Sequence, residues 1–197
     1  MKTKLMLLLM GAGLILASCT KYPPSSDRLL EDLAVITQYD TKADFNSYKT
    51  YSLAPSITKV TDKDTTVMTG PTADAVLAQI DKDMQARGFV KVATTAKPDL
   101  GIEVVYYQNT TVYTYYYDYW GWYYPYYPYY PVYYSSYTTG LANIELIDLK
   151  TATTDRAYIR WNAYIRGLLT GSHTTAEITA KVDQAFIQTP QLVTTAK

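Results

Sequence analysis

The chain has one cysteine and one histidine in 197 residues. With a lone cysteine no intramolecular disulfide can form, and a thiolate metal cage is excluded. A net charge is missing too: 18 Lys and Arg balance 18 Asp and Glu. Nothing in that balance steers the protein toward nucleic acid or another anionic surface. Phenylalanine is scarce, with three residues, whereas tyrosine reaches 22. Absent as well are a Gly-rich phosphate loop, a Gly-x-Ser-x-Gly elbow and a His-x-x-x-His spacing.

What is present begins at the N-terminus. Met1-Lys2-Thr3-Lys4 is a basic start, residues 5–16 are an apolar core, and Leu16-Ala17-Ser18-Cys19 follows directly. This is the pattern of a secretory signal ending in a lipobox. The apolar segment falls well short of the roughly 20 residues that a membrane-spanning helix needs, so residues 1–18 are read as a cleaved signal peptide. Cys19 then becomes the lipidated first residue, and two or more acyl chains give stable membrane anchoring. Residues 19–29, with Pro23-Pro24-Ser25-Ser26, form the lipidated tether. Thr20 stands where some bacteria read aspartate as a signal to stay at the inner membrane, which places the protein at the outer membrane. No early acidic run follows Cys19, and the expected orientation faces the periplasm.

Residues 30–197 suffice for one domain. Strands are expected at residues 33–39, 48–53, 89–93, 100–107, 142–149 and 158–166, the last two as a hairpin. Residues 40–46 read as a turn with Phe45 directed inward, and residues 56–70 as a polar loop. Along the last strand Ile159, Trp161, Ala163 and Ile165 alternate with Tyr158, Arg160, Asn162, Tyr164 and Arg166, which predicts one packed and one wet face. Pro71 opens a helix whose apolar stripe is Ala73, Val76, Leu77, Ile80 and Met84, ending at Gly88. A capping box, Thr174 with Glu177, opens a second, carrying Ile178, Val182 and Phe186. The order implies an α+β domain: a mostly antiparallel sheet, two helices on one face, and a Tyr/Pro-rich loop at residues 107–137.

Four segments carry a family likeness: "YDTKADFNSYKTYSLAP" (39–55), "GFVKV" (88–92), "PDLGIEVVY" (98–106) and "GLANIELIDLKT" (140–151). Together they resemble the bacterial lipoprotein family known as domain of unknown function 4136, over nearly all of the mature chain. Asp-Phe-x-x-Tyr-x-Thr-Tyr is the most specific part. The resemblance implies an envelope lipoprotein with no established activity, and supplies no catalytic residues.

Chemistry has few candidates. His173 sits in a Gly-Ser-His-Thr-Thr loop, and the acidic residues Asp62, Asp64, Asp81 and Asp83 do not follow a calcium-loop pattern. Glu103 and Glu145 could form the carboxylate pair of a glycosidase, but outward-facing acids near Arg160 or Arg166 are ordinary sheet stabilisers. A protein without enzymatic activity, cofactor or metal is the expectation.

The tyrosines are the distinctive feature. Sixteen lie between Tyr106 and Tyr137, and residues 115–134 read "YYYDYWGWYYPYYPYYPVYY". Pro125, Pro128 and Pro131 forbid a central strand there. In a polyproline II helix, with three residues per turn, Tyr123, Tyr126 and Tyr129 share one ridge and Tyr124, Tyr127, Tyr130 and Tyr133 another. Rings about 9 Å apart match a disaccharide repeat and offer an apolar face with a hydroxyl rim. These residues are the candidate binding surface, for cell-wall glycan or an envelope protein, beside the membrane contact at Cys19. The alternative is a structural or assembly lipoprotein whose tyrosines pack on its own sheet, or a low-complexity tract.

Overall fold

The computed structural model describes residues 33–61, 63–108, 140–153, 156–169 and 173–195. In chain order the elements are β1 (Val35–Tyr39), β2 (Thr50–Leu53), β3 (Ile57–Val60), β4 (Thr65–Met68), α1 (Pro71–Ala86), β5 (Val90–Lys91), β6 (Leu100–Tyr107), β7 (Leu141–Thr153), β8 (Arg156–Arg166) and α2 (Thr175–Ile187). All eight strands join one sheet, ordered β1-β8-β7-β6-β2-β5, with β3 also beside β6 and β4 outside β3. Pairs β1–β8, β8–β7, β7–β6 and β3–β4 are antiparallel; β2 and β3 run parallel to β6, and β5 parallel to β2. The fold is therefore α+β with a mostly antiparallel sheet, and α1 lies within the crossover that separates the parallel neighbours β2 and β5.

The two helices close one face. Leu100, Ile102, Val104 and Tyr106 on β6, Ala142, Ile144 and Leu146 on β7, and Trp161, Ala163 and Ile165 on β8 form one apolar cluster with Val76, Ile80 and Met84 of α1 and Ile178, Val182 and Phe186 of α2. The helical spacing of those positions turns each apolar stripe toward the sheet. Capping fixes where α2 starts: Glu177 N donates to Thr174 Oγ1 at 3.3 Å and Thr174 N to Glu177 Oε2 at 2.8 Å. The stop of α1 depends on Gly88, whose φ of 91° suits glycine and whose missing Cβ would sit 2.3 Å from the Thr194 carbonyl oxygen.

Three expectations need correction. Residues 56–70 are not a loop, because β3 and β4 form a hairpin there, closed by Thr61 N donating to Asp64 O at 2.9 Å. Pro55 interrupts the strand without ending the sheet edge: Leu53 lies opposite Ile102 and Thr58 opposite Val105, so the extra residues bulge out and pairing resumes. The strand at residues 89–93 shrinks to Val90–Lys91, since Phe89 turns into the core, where it is 2% exposed.

The third correction concerns β8. Its register shifts between Leu146, opposite Trp161, and Ile147, opposite Ile159, so Arg160 is an extra residue. That bulge moves Ile159 off the packed face, leaving it 43% exposed, while Trp161 stays sealed at 1%. The other side is not uniformly wet either, because Asn162 is buried.

Candidate functional site

The central hairpin β6–β7 displays the Tyr-rich segment. Tyr107 lies opposite Leu141, and Gly140 N donates to Tyr107 O at 3.1 Å. Gln108 N donates to Val60 O at 2.9 Å, tying the departing chain to β3, and Gly167 N donates to Gly140 O, tying the returning chain to the end of β8. Gln108 and Gly140, which flank the Tyr-rich segment, thus lie together at one end of the β6–β7 pair. β6 ends at Tyr107. Tyr123, Tyr124, Tyr126, Tyr127, Tyr129, Tyr130 and Tyr133 lie outside the described residues, as do Cys19 and the rest of the signal and tether.

Away from the helices, the same strands carry a polar row that sequence reading missed. Gln38 on β1 is opposite Asn162 on β8, Asn162 opposite Glu145 on β7, and Glu145 opposite Glu103 on β6. Glu103 is buried at 1% exposure and Glu145 is half-buried, so neither is the fully exposed surface acid expected from alternation. Asn143 Nδ2 donates to Glu145 Oε1 at 2.6 Å. Burial pushes the Glu145 carboxyl up to about 7, against the pull of that hydrogen bond. No group of three metal-ligating side chains occurs among the described residues.

At the β7–β8 end, the Arg160 bulge builds a charged anchor. Asp148, fully buried, receives hydrogen bonds from Arg160 Nε at 3.1 Å and Nη2 at 2.7 Å, from Tyr48 Oη at 2.8 Å and from Thr151 N at 2.9 Å. Arg160 Nη1 reaches Asp40 Oδ2 at 2.6 Å. Burial opposes the Asp148 charge, but the bonds from Thr151, Arg160 and Tyr48 outweigh it and hold its pKa below the usual carboxylate range. Tyr48 is pushed up to about 12, by burial first and then by the carboxylate it faces.

The Asp-Phe-x-x-Tyr-x-Thr-Tyr segment proves to be this anchor's other half. Phe45 enters the core, Tyr48 holds Asp148, and Thr50 Oγ1 accepts from Asp99 N at 3.0 Å. Asp99 Oδ2 in turn accepts from Lys49 N at 2.7 Å and Thr50 N at 3.0 Å, and Tyr51 Oη donates to Asp81 Oδ1 at 2.6 Å. Tyr48, Thr50 and Tyr51 pin the β2 side of the sheet to more distant parts of the chain, whereas Asp44 caps the turn at Phe45–Ser47 by accepting from Asn46 N at 3.1 Å.

A helix-backed α+β domain whose central hairpin opens into an aromatic insertion is the class these features define. The chain belongs to the family described as Domain of unknown function (DUF4136), which matches residues 35–191. A crystal structure of a DUF4136 family protein from Bacteroides thetaiotaomicron is 31% identical, with a TM-score of 0.64, over 82% of this chain and 97% of that one. The PelC dodecamer from Paraburkholderia phytofirmans shows 11% identity and a TM-score of 0.43 over 83% of this chain and 99% of that one. A DUF330 protein from Xanthomonas campestris shows 13% and 0.30 over 81% and 88%. These last two likenesses are too slight to carry an argument. No curated protein matches the chain.

Proposed function

We propose that this is a non-enzymatic lipoprotein of the cell envelope, anchored in the outer membrane through acylated Cys19 and facing the periplasm, whose Tyr-rich insertion binds cell-wall glycan or an envelope protein. The observation that carries the reading is the Gly140-to-Tyr107 hydrogen bond: the residues that flank the insertion are held together at the end of the β6–β7 pair. Tyrosine supplies large contact area at low entropic cost. The sealing of Glu103 within the sheet supports a non-enzymatic role, since a glycosidase must bring both carboxyls to the sugar.

Replacing Tyr124, Tyr127 and Tyr130 together with serine tests this. The expected result is an unchanged melting temperature with reduced retention on isolated cell-wall glycan or envelope extract, each stacked ring contributing about 0.5–1.5 kcal/mol by analogy with aromatic pairs. Unchanged retention by a stable mutant would remove the binding reading. A second reading, tyrosines packed on the chain's own sheet, is favoured by the burial of Glu103, Asn143 and Ile147 on the face away from the helices. It predicts a large fall in melting temperature for the same mutant. The anchor is tested separately by Cys19→Ala, which should leave the membrane fraction.

A further inference from the structure

Strand register brings the point where the chain enters β1 into line with both flanks of the Tyr-rich segment. Arg166 N donates to Ala34 O at 3.0 Å, just before β1 begins. Arg166 lies opposite Leu141, Leu141 opposite Tyr107, and Tyr107 opposite Val60. Gly167 N donates to Gly140 O at 2.6 Å and Gln108 N to Val60 O at 2.9 Å, at the same end of the sheet. Neighbouring strands are about 4.8 Å apart, so Ala34 and Tyr107, with β8 and β7 between them, are separated by about 15 Å. The opposite end is far away: β7 runs from Leu141 to Thr153, roughly 40 Å at the rise of a strand.

The two ends also differ in surface. Exposed at the first are the cations Arg166 and Lys63, the latter in the turn between β3 and β4, beside Asp64, which accepts from Thr61 Oγ1 at 3.1 Å. Cations are favoured near an anionic headgroup layer. The far end holds the half-exposed acids Asp40 and Asp99, paired with Arg160 and Lys150, and these ion pairs would lose hydration against lipid.

We infer that the end of the sheet formed by Ala34, Val60, Tyr107, Gly140 and Arg166 faces the lipid surface, with the Asp148–Arg160 anchor pointing away from it. The inference rests on acylation of Cys19 as proposed above, and not on what the tyrosines bind. Residues 19–32 join Cys19 to the domain. They span about 50 Å fully extended and about 20 Å as a relaxed chain. A reversed domain would need the tether to run the length of the sheet, about twice its relaxed span. Gln108 and Gly140, the flanks of the Tyr-rich segment, are then on the membrane side.

Energy transfer to the membrane reads this orientation. Acylated Cys19 has no free thiol and the chain has no other cysteine, so a cysteine introduced at an exposed position takes a fluorescent donor alone. Arg166→Cys and Lys63→Cys label the end inferred to face lipid, and Thr153→Cys labels the far one. The acylated full chain is placed in vesicles of phosphatidylethanolamine and phosphatidylglycerol that carry an acceptor on the headgroup. Transfer falls steeply with distance, and should be several-fold more efficient from Arg166→Cys and Lys63→Cys than from Thr153→Cys. Equal transfer from the three, or more from Thr153→Cys, in a chain that floats with the vesicles would overturn the orientation and leave the lipid anchor standing. A chain that stays behind when the vesicles float would overturn the anchor, and the orientation with it.

Discussion

Both faces of the β6–β7–β8 sheet bury side chains, and they use them differently. Toward the helices the row is Ile102, Leu146 and Trp161; on the other side, one residue along, it is Glu103, Glu145 and Asn162. On the first face burial is apolar and stability comes from packing. On the second, burial acts on acids and amides, so stability depends on protonation. Depth of burial alone therefore does not say what a face contributes.

The largest effect should come from breaking the packed face. Trp161 lies 4.9 Å from the Phe186 ring, centroid to centroid, and donates Nε1–H to Thr189 Oγ1 at 2.9 Å. Trp161→Ala should cost about 3–5 kcal/mol, from lost transfer energy and a cavity beneath α2. Chemical denaturation checks it, and a wild-type midpoint would reject the placement of the packed face.

Next comes the anchor that joins the sheet to its edge. Arg160→Met keeps the alkyl bulk but leaves Asp148 buried with only Tyr48 and Thr151, a loss of about 3 kcal/mol at neutral pH. Because the native Asp148 pKa is lowered, its contribution is present above the ordinary carboxylate range and disappears as pH falls through it. Stability curves of the two proteins should therefore converge toward pH 3. Parallel curves from pH 7 to pH 3 would mean the loss is one of packing.

The polar face should give the smallest effect and the opposite sign. Glu145 binds its proton more tightly folded than unfolded, so it favours the native state below about 4.5 and that advantage is lost as pH rises to about 7. Glu145→Gln should stabilise the protein by about 1–2 kcal/mol at pH 8, allowing for partial solvent contact, and change little at pH 4. Thermal melts at both values check this. Destabilisation at pH 8 would show that the ionised carboxylate is being used by a partner group.

Much of this architecture could be read from the chain. Residues 100–107 alternate with apolar side chains at even positions, and β6 has those bounds. The Thr174–Glu177 capping box marked the start of α2, and Pro71 with the stripe through Met84 marked α1. The hairpin β3–β4 was hidden by composition, since Thr-rich strands at an exposed edge look like polar loop. The polar row was hidden for a different reason. Each of Glu103, Asn143, Glu145 and Asn162 sits at an alternation position that faces solvent in a one-sided sheet.

By itself the sequence determined the local elements, because helix stripes, caps and strand alternation depend on neighbours within a few residues. It also determined that tyrosines crowd one segment between two strands. Only the tertiary structure decided which residues meet: that Arg160 bulges to reach Asp148 and Asp40, and that Glu103 lies opposite Glu145. Register and bulges join residues far apart in the chain, and a shift of one residue reverses every side chain on a strand. The burial and charge that set these acids' proton affinities exist only after those long-range pairings have formed.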